Sequence, residues 1–348
     1  MLRRSFLASA ASSGLARALW AGPLDRAVRI LDEATASGAV AASSLYVNRR
    51  GEVFRKSFGA ARSPDTVFLL ASITKPMTAT AVMTLVDKGE LSLDDPVKKF
   101  IPEFTGGQRD MVTLRHLLTH SSGLPDMLPE NTELRRRHAP LADFVKGTCA
   151  TPLLFQPGTK VRYQSMGILL AATIAERITG KPFREFLRQT VFTPLRMAHS
   201  SLGLGGRKIN ETALCQVTGD VDWNWNSPYW RDLGSPWGGA HSTAAEVGRF
   251  LEYFLAPDSR VLRPQTAASM IVNQTKGLNE PRGIGFAVKP GSFGKACSAS
   301  TFGHSGSTGT IAWADPASQL VCVLLTTKPA AESRILGLVS DAVAERSS

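Results

Sequence analysis

Ser72 and Lys75, in Ala71-Ser72-Ile-Thr-Lys75-Pro76, place a nucleophile and a base three residues apart. A serine hydroxyl attacks a carbonyl carbon only when a neighbour takes its proton, and residues three apart on a helix share one face, a turn from each other. Lysine acts as such a base through its neutral amine, the form that burial and a nearby cation favour. Pro76 lacks the amide that would bond back to the carbonyl of Ser72, so the helix starts here and Ser72 falls in its first turn. First-turn amides have no partner within the helix and lie at the positive end of its dipole, which suits a developing oxyanion. The chemistry predicted from these residues is acyl transfer through an ester on Ser72.

Ser-x-x-Lys alone is common on exposed helix faces, and its meaning comes from two later stretches. One is Phe155-Gln-Pro157-Gly158-Thr-Lys-Val-Arg-Tyr163-Gln-Ser165; the other is Phe302-Gly-His304-Ser305-Gly306-Ser307-Thr-Gly309. In this order the three stretches resemble the serine β-lactamase and penicillin-binding-protein superfamily, in particular the class C β-lactamase-related branch with its esterases and D-alanyl peptidases. Leu117-Leu-Thr-His-Ser-Ser-Gly-Leu-Pro125, Gly238-Gly-Ala-His-Ser-Thr-Ala244 and Asp315-Pro316 frame them in the same way, so the resemblance covers nearly everything after about residue 25.

The resemblance implies an α+β, β-lactamase-like fold: an antiparallel sheet flanked by helices, with an inserted all-helical lobe. One α/β lobe would take about 23–72 and 236–348, and the helical lobe about 73–235. It implies that Tyr163 is a second proton handler beside Ser72 and Lys75. It also implies that Ser165, His304, Ser305, Gly306 and Ser307 contact substrate, with Gly306 letting substrate approach a strand. The Ser307 amide would complete an oxyanion hole with that of Ser72. Two positions depart from the family pattern: Ser165 stands where asparagine is usual, and His304 where Lys-Thr-Gly carries its lysine. The expected activity is that of a serine hydrolase, a carboxylesterase first, with a β-lactamase or D-alanyl-D-alanine carboxypeptidase as the alternative. A catalytically silent binder of cell-wall peptide is the reading from another class. The expected partner is a small ester, lactam or peptide; no metal or cofactor is called for.

Other features exclude more than they add. The chain of 348 residues carries a formal charge of +11, but the excess is dispersed, and no zinc-finger, RNA-binding or helix-turn-helix pattern accompanies it, which argues against a nucleic-acid partner. The densest run, Arg135-Arg-Arg137, reads as a solvated basic face. Cys149, Cys215, Cys297 and Cys322 are widely spaced and form no Cys-x-x-Cys pair; Cys322, in an apolar run, reads as packing. His116 and His120 have the spacing of a zinc pair, yet Leu117 stands where a metalloprotease needs glutamate, so both read as structural. Around Ser305 the second glycine comes one place too early for Gly-x-Ser-x-Gly. No stretch has the length to span a bilayer. Arg3-Arg4 before a weakly apolar segment, with Ala16-Arg-Ala18 behind it, resembles a twin-arginine export signal over residues 1–22, with a disordered tail on a cytoplasmic protein as the alternative. Export would place the protein in the periplasm or outside the cell.

The elements that must position Ser72 follow from periodicity. Leu24, Val28, Leu31 and Ala34 predict a helix from Pro23 to Ser37. Ala41 to Asn48 and Val53 to Phe58 predict a hairpin around Arg49-Arg-Gly51. The nucleophile helix runs to Gly89. From about Met111 to Leu202 the pattern is mostly helical, with Ile168 to Ile178 ending at Gly180 and Pro182 to Phe192 ending at Thr193-Pro194. Strands are predicted at Ile284–Val288, Thr310–Ala314 and Leu320–Thr326, before a last helix through Ile335, Leu338 and Val343. Val221 to Trp237, rich in aromatics, reads equally as a loop packed on its own rings and as an aromatic wall beside the site.

Overall fold

The computed structural model describes residues 22–217, 223–332 and 334–345. In chain order its elements begin with helix α1 (Pro23–Ala36), strands β1 (Ala42–Arg49), β2 (Glu52–Gly59) and β3 (Phe68–Leu69), and helix α2 (Thr74–Asp87). Helices α3 (Leu114–Leu118), α4 (Asn131–Arg136), α5 (Leu141–Ala150), α6 (Met166–Thr179) and α7 (Phe183–Leu187) follow. Then come β4 (Ser201–Leu202), α8 (Pro228–Leu233), β5 (Ala240–Ser242), α9 (Ala244–Leu255), α10 (Pro264–Met270), β6 (Phe302–Gly306), β7 (Thr310–Asp315), β8 (Leu320–Thr326) and α11 (Ile335–Ala344).

The first and last parts of the chain share one antiparallel sheet in the order β2-β1-β8-β7-β6. Its period of two sorts β8 between two cores. Leu320, Cys322 and Leu324 face α1 and α11, whereas Val321, Val323 and Leu325 join the larger core beneath the helical region. Cys322 is thus buried packing, and all four cysteines are free thiols. A second sheet, β3-β5-β4, joins the residues just before Ser72 to segments from the middle of the chain.

Helix α2 is the element around which the rest packs, with every residue from Thr74 to Leu85 buried. A helix apolar all round needs a protein shell on every side. The hydroxyls of Thr80 and Thr84 donate within the helix, to the carbonyls of Pro76 and Ala81, and that of Thr78 donates to the distant Pro236 carbonyl at 2.6 Å.

Three expectations need correction. No strand forms over Ile284–Val288; Ala287 makes isolated bridges to Arg282 and Gly303. Gly285, at φ 76°, folds this segment onto α2, where a Cβ would lie 2.4 Å from that of Ala79. The helix expected from Pro182 to Phe192 is α7 followed by a π turn over Arg188–Phe192. Helix α9, between strands β5 and β6, is absent from the sequence reading, although Thr243 caps it by accepting from the Glu246 amide at 3.2 Å. The residues of the export reading, up to 21, lie outside those described. Among the described residues no helix is long and apolar enough to cross a membrane.

Candidate active site

Ser72 sits in a 3-10 turn, Ala71–Ile73, that leads directly into α2. The turn is held from both sides. Leu70 donates its amide to the Ala240 carbonyl at 2.8 Å, and the hydroxyls of Thr308 and Thr310 donate to the carbonyls of Leu69 and Leu70, each at 2.8 Å. Ala71, just before the nucleophile, is forced to φ 48°, a left-handed conformation that costs a non-glycine residue of order 1 kcal/mol. The Thr74 hydroxyl donates to the Ala71 carbonyl at 2.6 Å and accepts from the Ala240 amide at 3.0 Å, which fixes that turn.

Lys75 Nζ donates to Ser72 Oγ at 3.0 Å and to the Trp237 carbonyl at 2.9 Å. Lys75 is 1 % exposed, and among the described residues no carboxylate lies within ion-pair distance of it. The Tyr163 ring covers this amine, its centroid 4.8 Å from Nζ. Tyr163 is on a loop rather than an element, and its neighbours pin it: Arg162 donates its amide to the His120 carbonyl at 2.9 Å, and the Gln164 side chain donates to the carbonyls of His116 and Leu117. The rings of His120 and His304 flank Tyr163 at centroid distances of 4.8 and 5.9 Å.

His304 lies on β6 and donates Nδ1–H to the Ser305 carbonyl at 2.7 Å, leaving its buried Nε2 without a hydrogen-bond partner among the described residues. Burial first, and the nearness of Lys75 second, push its pKa down to about 3. The ring is therefore a neutral imidazole at physiological pH. Ser305 is exposed, and Ser307 lines the cleft at Ser72. At Gly306 the space a Cβ would need is filled by the Leu70 carbonyl oxygen at 2.4 Å and the Thr310 hydroxyl at 2.3 Å. This glycine lets β6 press against the nucleophile turn, a packing role that competes with the substrate-admitting role implied by the resemblance. Ser165, at the start of α6, donates its hydroxyl to Asp126 Oδ1 at 2.7 Å.

A cleft of about 260 Å³ opens at Ser72, lined among others by Asp126, Arg135, Tyr163, Ser165, Trp225, Trp230 and Trp237. A larger cavity, about 600 Å³, lies between α5, α6 and α7 and is lined by neither Ser72 nor Tyr163.

The family model for beta-lactamases matches residues 27–344. The chain belongs to the beta-lactamase family. Esterase EstB of Burkholderia gladioli is 34 % identical over 191 residues, which is 48 % of each chain. Penicillin-binding protein 4 of Amycolatopsis lactamdurans is 34 % identical over 63 % of this chain and 60 % of its own. A putative D-alanyl-D-alanine carboxypeptidase of Escherichia coli K12 is 27 % identical over 82 % of this chain and 77 % of its own. The chain spans about half the length, or less, of the first curated relatives it matches. Among solved structures, EstCE1, a hydrolase with promiscuous acyltransferase activity, superposes with a TM-score of 0.78 at 21 % identity, over 95 % of this chain and 100 % of its own. The D-amino acid amidase of Ochrobactrum anthropi SV3 gives 0.75 at 22 % identity, over 92 % and 97 %. At such identities these two show the fold of this beta-lactamase-family chain and no more.

Sequence reasoning missed several residues of the site. The Trp237 carbonyl and Asp126 carry no motif. His120, read as structural, packs its ring against Tyr163, and His116 caps α3 by accepting from the Thr113 amide at 3.2 Å. No group of three or more His, Cys, Asp or Glu among the described residues is placed to hold a metal ion. Of the aromatic stretch, Val221 and Asp222 lie outside the described residues, and Pro228–Leu233 form α8 rather than a loop; Trp223 and Trp230 pack on each other, and Trp225, Trp230 and Trp237 line the cleft. Arg135 contradicts the solvated-face reading of its basic run, for it is 6 % exposed and lies against those rings. On α4 it points inward while Arg136 and Arg137 pair with Glu133 and Asp143 at the surface. A helical period of 3.6 separates such neighbours onto different faces.

Proposed function

We propose that this chain is a serine hydrolase that forms an acyl-enzyme at Ser72, and a carboxylesterase in preference to a β-lactamase or D-alanyl-D-alanine carboxypeptidase. The observation that carries the reading is the 3.0 Å contact of Lys75 Nζ with Ser72 Oγ, made by a buried lysine that has no carboxylate partner among the described residues. The name of EstB agrees with it.

In this reading Ser72 Oγ adds to the substrate carbonyl carbon as its proton passes to Lys75 Nζ. The carbonyl oxygen becomes an oxyanion between the amides of Ser72 and Ser307. The intermediate collapses, breaking the bond to the alkoxide, which takes up the proton by way of the Tyr163 hydroxyl and leaves as an alcohol. Water then attacks the Ser72 ester by the reverse route, freeing the acid.

Preference for esters rests on the two departures from the family pattern. Neutral His304 has no charge with which to grip a substrate carboxylate beside β6, a charge-assisted contact worth about 1.5 to 3 kcal/mol. Ser165 Oγ is committed to Asp126 and cannot present the paired donor and acceptor of an amide. An alkoxide also leaves more readily than an amine. Purified protein is expected to react with a fluorophosphonate probe at Ser72, seen as one adduct by intact mass, and to turn over p-nitrophenyl butyrate. Its kcat/KM for nitrocefin should be lower by at least about tenfold per lost contact. A folded sample without adduct would favour a silent peptide binder, and faster hydrolysis of nitrocefin or a D-alanyl-D-alanine peptide would reverse the substrate assignment.

The proposed site of action is the periplasm or the cell exterior, supported by the two arginines and apolar segment near the start of the chain. Replacing Arg3 and Arg4 with lysine is expected to retain the protein in the cytoplasm; fractionation that finds the unaltered protein there uncleaved would refute export.

A further inference from the structure

We propose that Arg135 is an anion-binding residue of the Ser72 cleft and that the preferred esters carry a carboxylate. This deepens the hydrolase reading and rests on it.

Arg135 is 94 % buried, being 6 % exposed. Its guanidinium carbon stands 4.4 Å from the centroid of the Trp223 ring and 4.3 Å from that of Trp230. Nε is buried with no hydrogen-bond partner, and Nη2 has only the Met127 sulfur, at 3.4 Å. Among the described residues no carboxylate lies within ion-pair distance. Asp126 shares the cleft, accepts from Ser165 Oγ, and lies close enough for its charge to act on Arg135 without an ion pair forming. Guanidinium is planar and carries five donors in a fork that matches a carboxylate. Two indole faces hold that fork in place and leave the buried Nε unfilled, a costly state unless something fills it. A structural arginine of this burial is satisfied by contrast: Arg231, 0 % exposed, donates to the Trp225 and Ala213 carbonyls and to Asn226 Oδ1.

The place of Arg135 reconciles this with poor turnover of β-lactams. It lines the cleft with Asp126, Ser165 and Ser72, whereas His304 is not among the lining residues. The cations felt by His304 are Lys75 and Arg282, not Arg135. An anion on Arg135 therefore lies on the Ser165 side, not where the family's Lys-Thr-Gly lysine would hold one. The carboxylate can belong to the acyl chain or to the alcohol, and the test separates the two.

The experiment compares wild type, Arg135→Gln and Arg135→Lys on matched esters. Monomethyl adipate against methyl hexanoate tests an acyl-borne carboxylate, and 4-acetoxybenzoate against 4-methylphenyl acetate tests an alcohol-borne one. Comparison between variants cancels intrinsic reactivity within each pair. In at least one pair, Arg135→Gln should lower the anionic-to-neutral ratio of kcat/KM by at least about tenfold, mainly through KM. Arg135→Lys, which keeps the charge and loses the fork, should fall between. Equal losses on both members of each pair would make Arg135 a strut for the tryptophans and overturn the proposal, as would a wild type that prefers the neutral ester in both. A binding arm is independent of hydrolysis: monomethyl adipate or 4-acetoxybenzoate should raise the melting temperature of Ser72→Ala protein and not that of Ser72→Ala/Arg135→Gln. A shift there without turnover in wild type would keep the anion site and sink the hydrolase reading. No shift with either compound would sink the anion site.

Discussion

Lys75→Ala is expected to slow acylation of Ser72 by at least about 100-fold, the usual cost of losing a positioned general base. The base is assigned to Lys75 by contact. Lys75 Nζ is the amine bonded to Ser72 Oγ, and His304, also near it, is directed through Nδ1–H to the Ser305 carbonyl. Pre-steady-state acylation by a p-nitrophenyl ester gives the rate, and circular dichroism checks that the buried site has not unfolded. Tyr163→Phe separates the roles. It keeps the ring over Lys75 and removes only the hydroxyl, so turnover should fall while the fold stays. Acylation at the wild-type rate in Lys75→Ala would assign the base elsewhere, and unchanged turnover in Tyr163→Phe would free the tyrosine of any proton relay.

Acid is expected to destabilise the fold well above the range in which carboxylates titrate. His304 and His241 both have their pKa pushed down to about 3, His304 by burial and then Lys75, His241 by burial and then Arg231. His120 is likewise lowered, by burial and then Arg282. An unfolded histidine binds a proton below about pH 6.5, and these native ones do not until far lower. Unfolding therefore takes up protons as pH falls through 6.5, and stability present above that pH is lost continuously down to about pH 3. Between pH 7 and pH 5 His241 and His304 together should remove about 4 kcal/mol. Buried carboxylates such as Asp315, whose pKa is also lowered, act in the same direction but below their own unfolded values near pH 4, so the window from 7 to 5 isolates the histidines. Urea unfolding at pH 7, 6 and 5 measures the loss. A flat profile would mean that these rings take up protons in the native protein as readily as in the unfolded chain.

The contact between Ser72 and Lys75, the proposed nucleophile and base, was legible because it is local. Ser72, Lys75 and Pro76 lie within one helical start, where spacing alone sets the face. The hairpin β1-β2, the helix ending at Gly180 and the strands β7 and β8 were legible for the same reason, since their hydrophobic periods are properties of short windows. The segment 284–288 has the composition of a strand, but its conformation is set by the close approach of Gly285 to Ala79, a contact between distant parts of the chain that no window holds. The same limit applies to the cleft. Arg135-Arg-Arg137 is one charge run in sequence, and only the docking of α4 against Trp223 and Trp230 buries the first of its arginines and leaves the other two at the surface. Histidine 304 could be recognised as a departure from lysine, but its neutral state comes from burial and from Lys75, two properties of the packed site. The sequence by itself determined which residues are proposed to form and resolve an acyl-enzyme; the tertiary structure decided which charges face the cleft, because burial and long-range neighbours set charge and access.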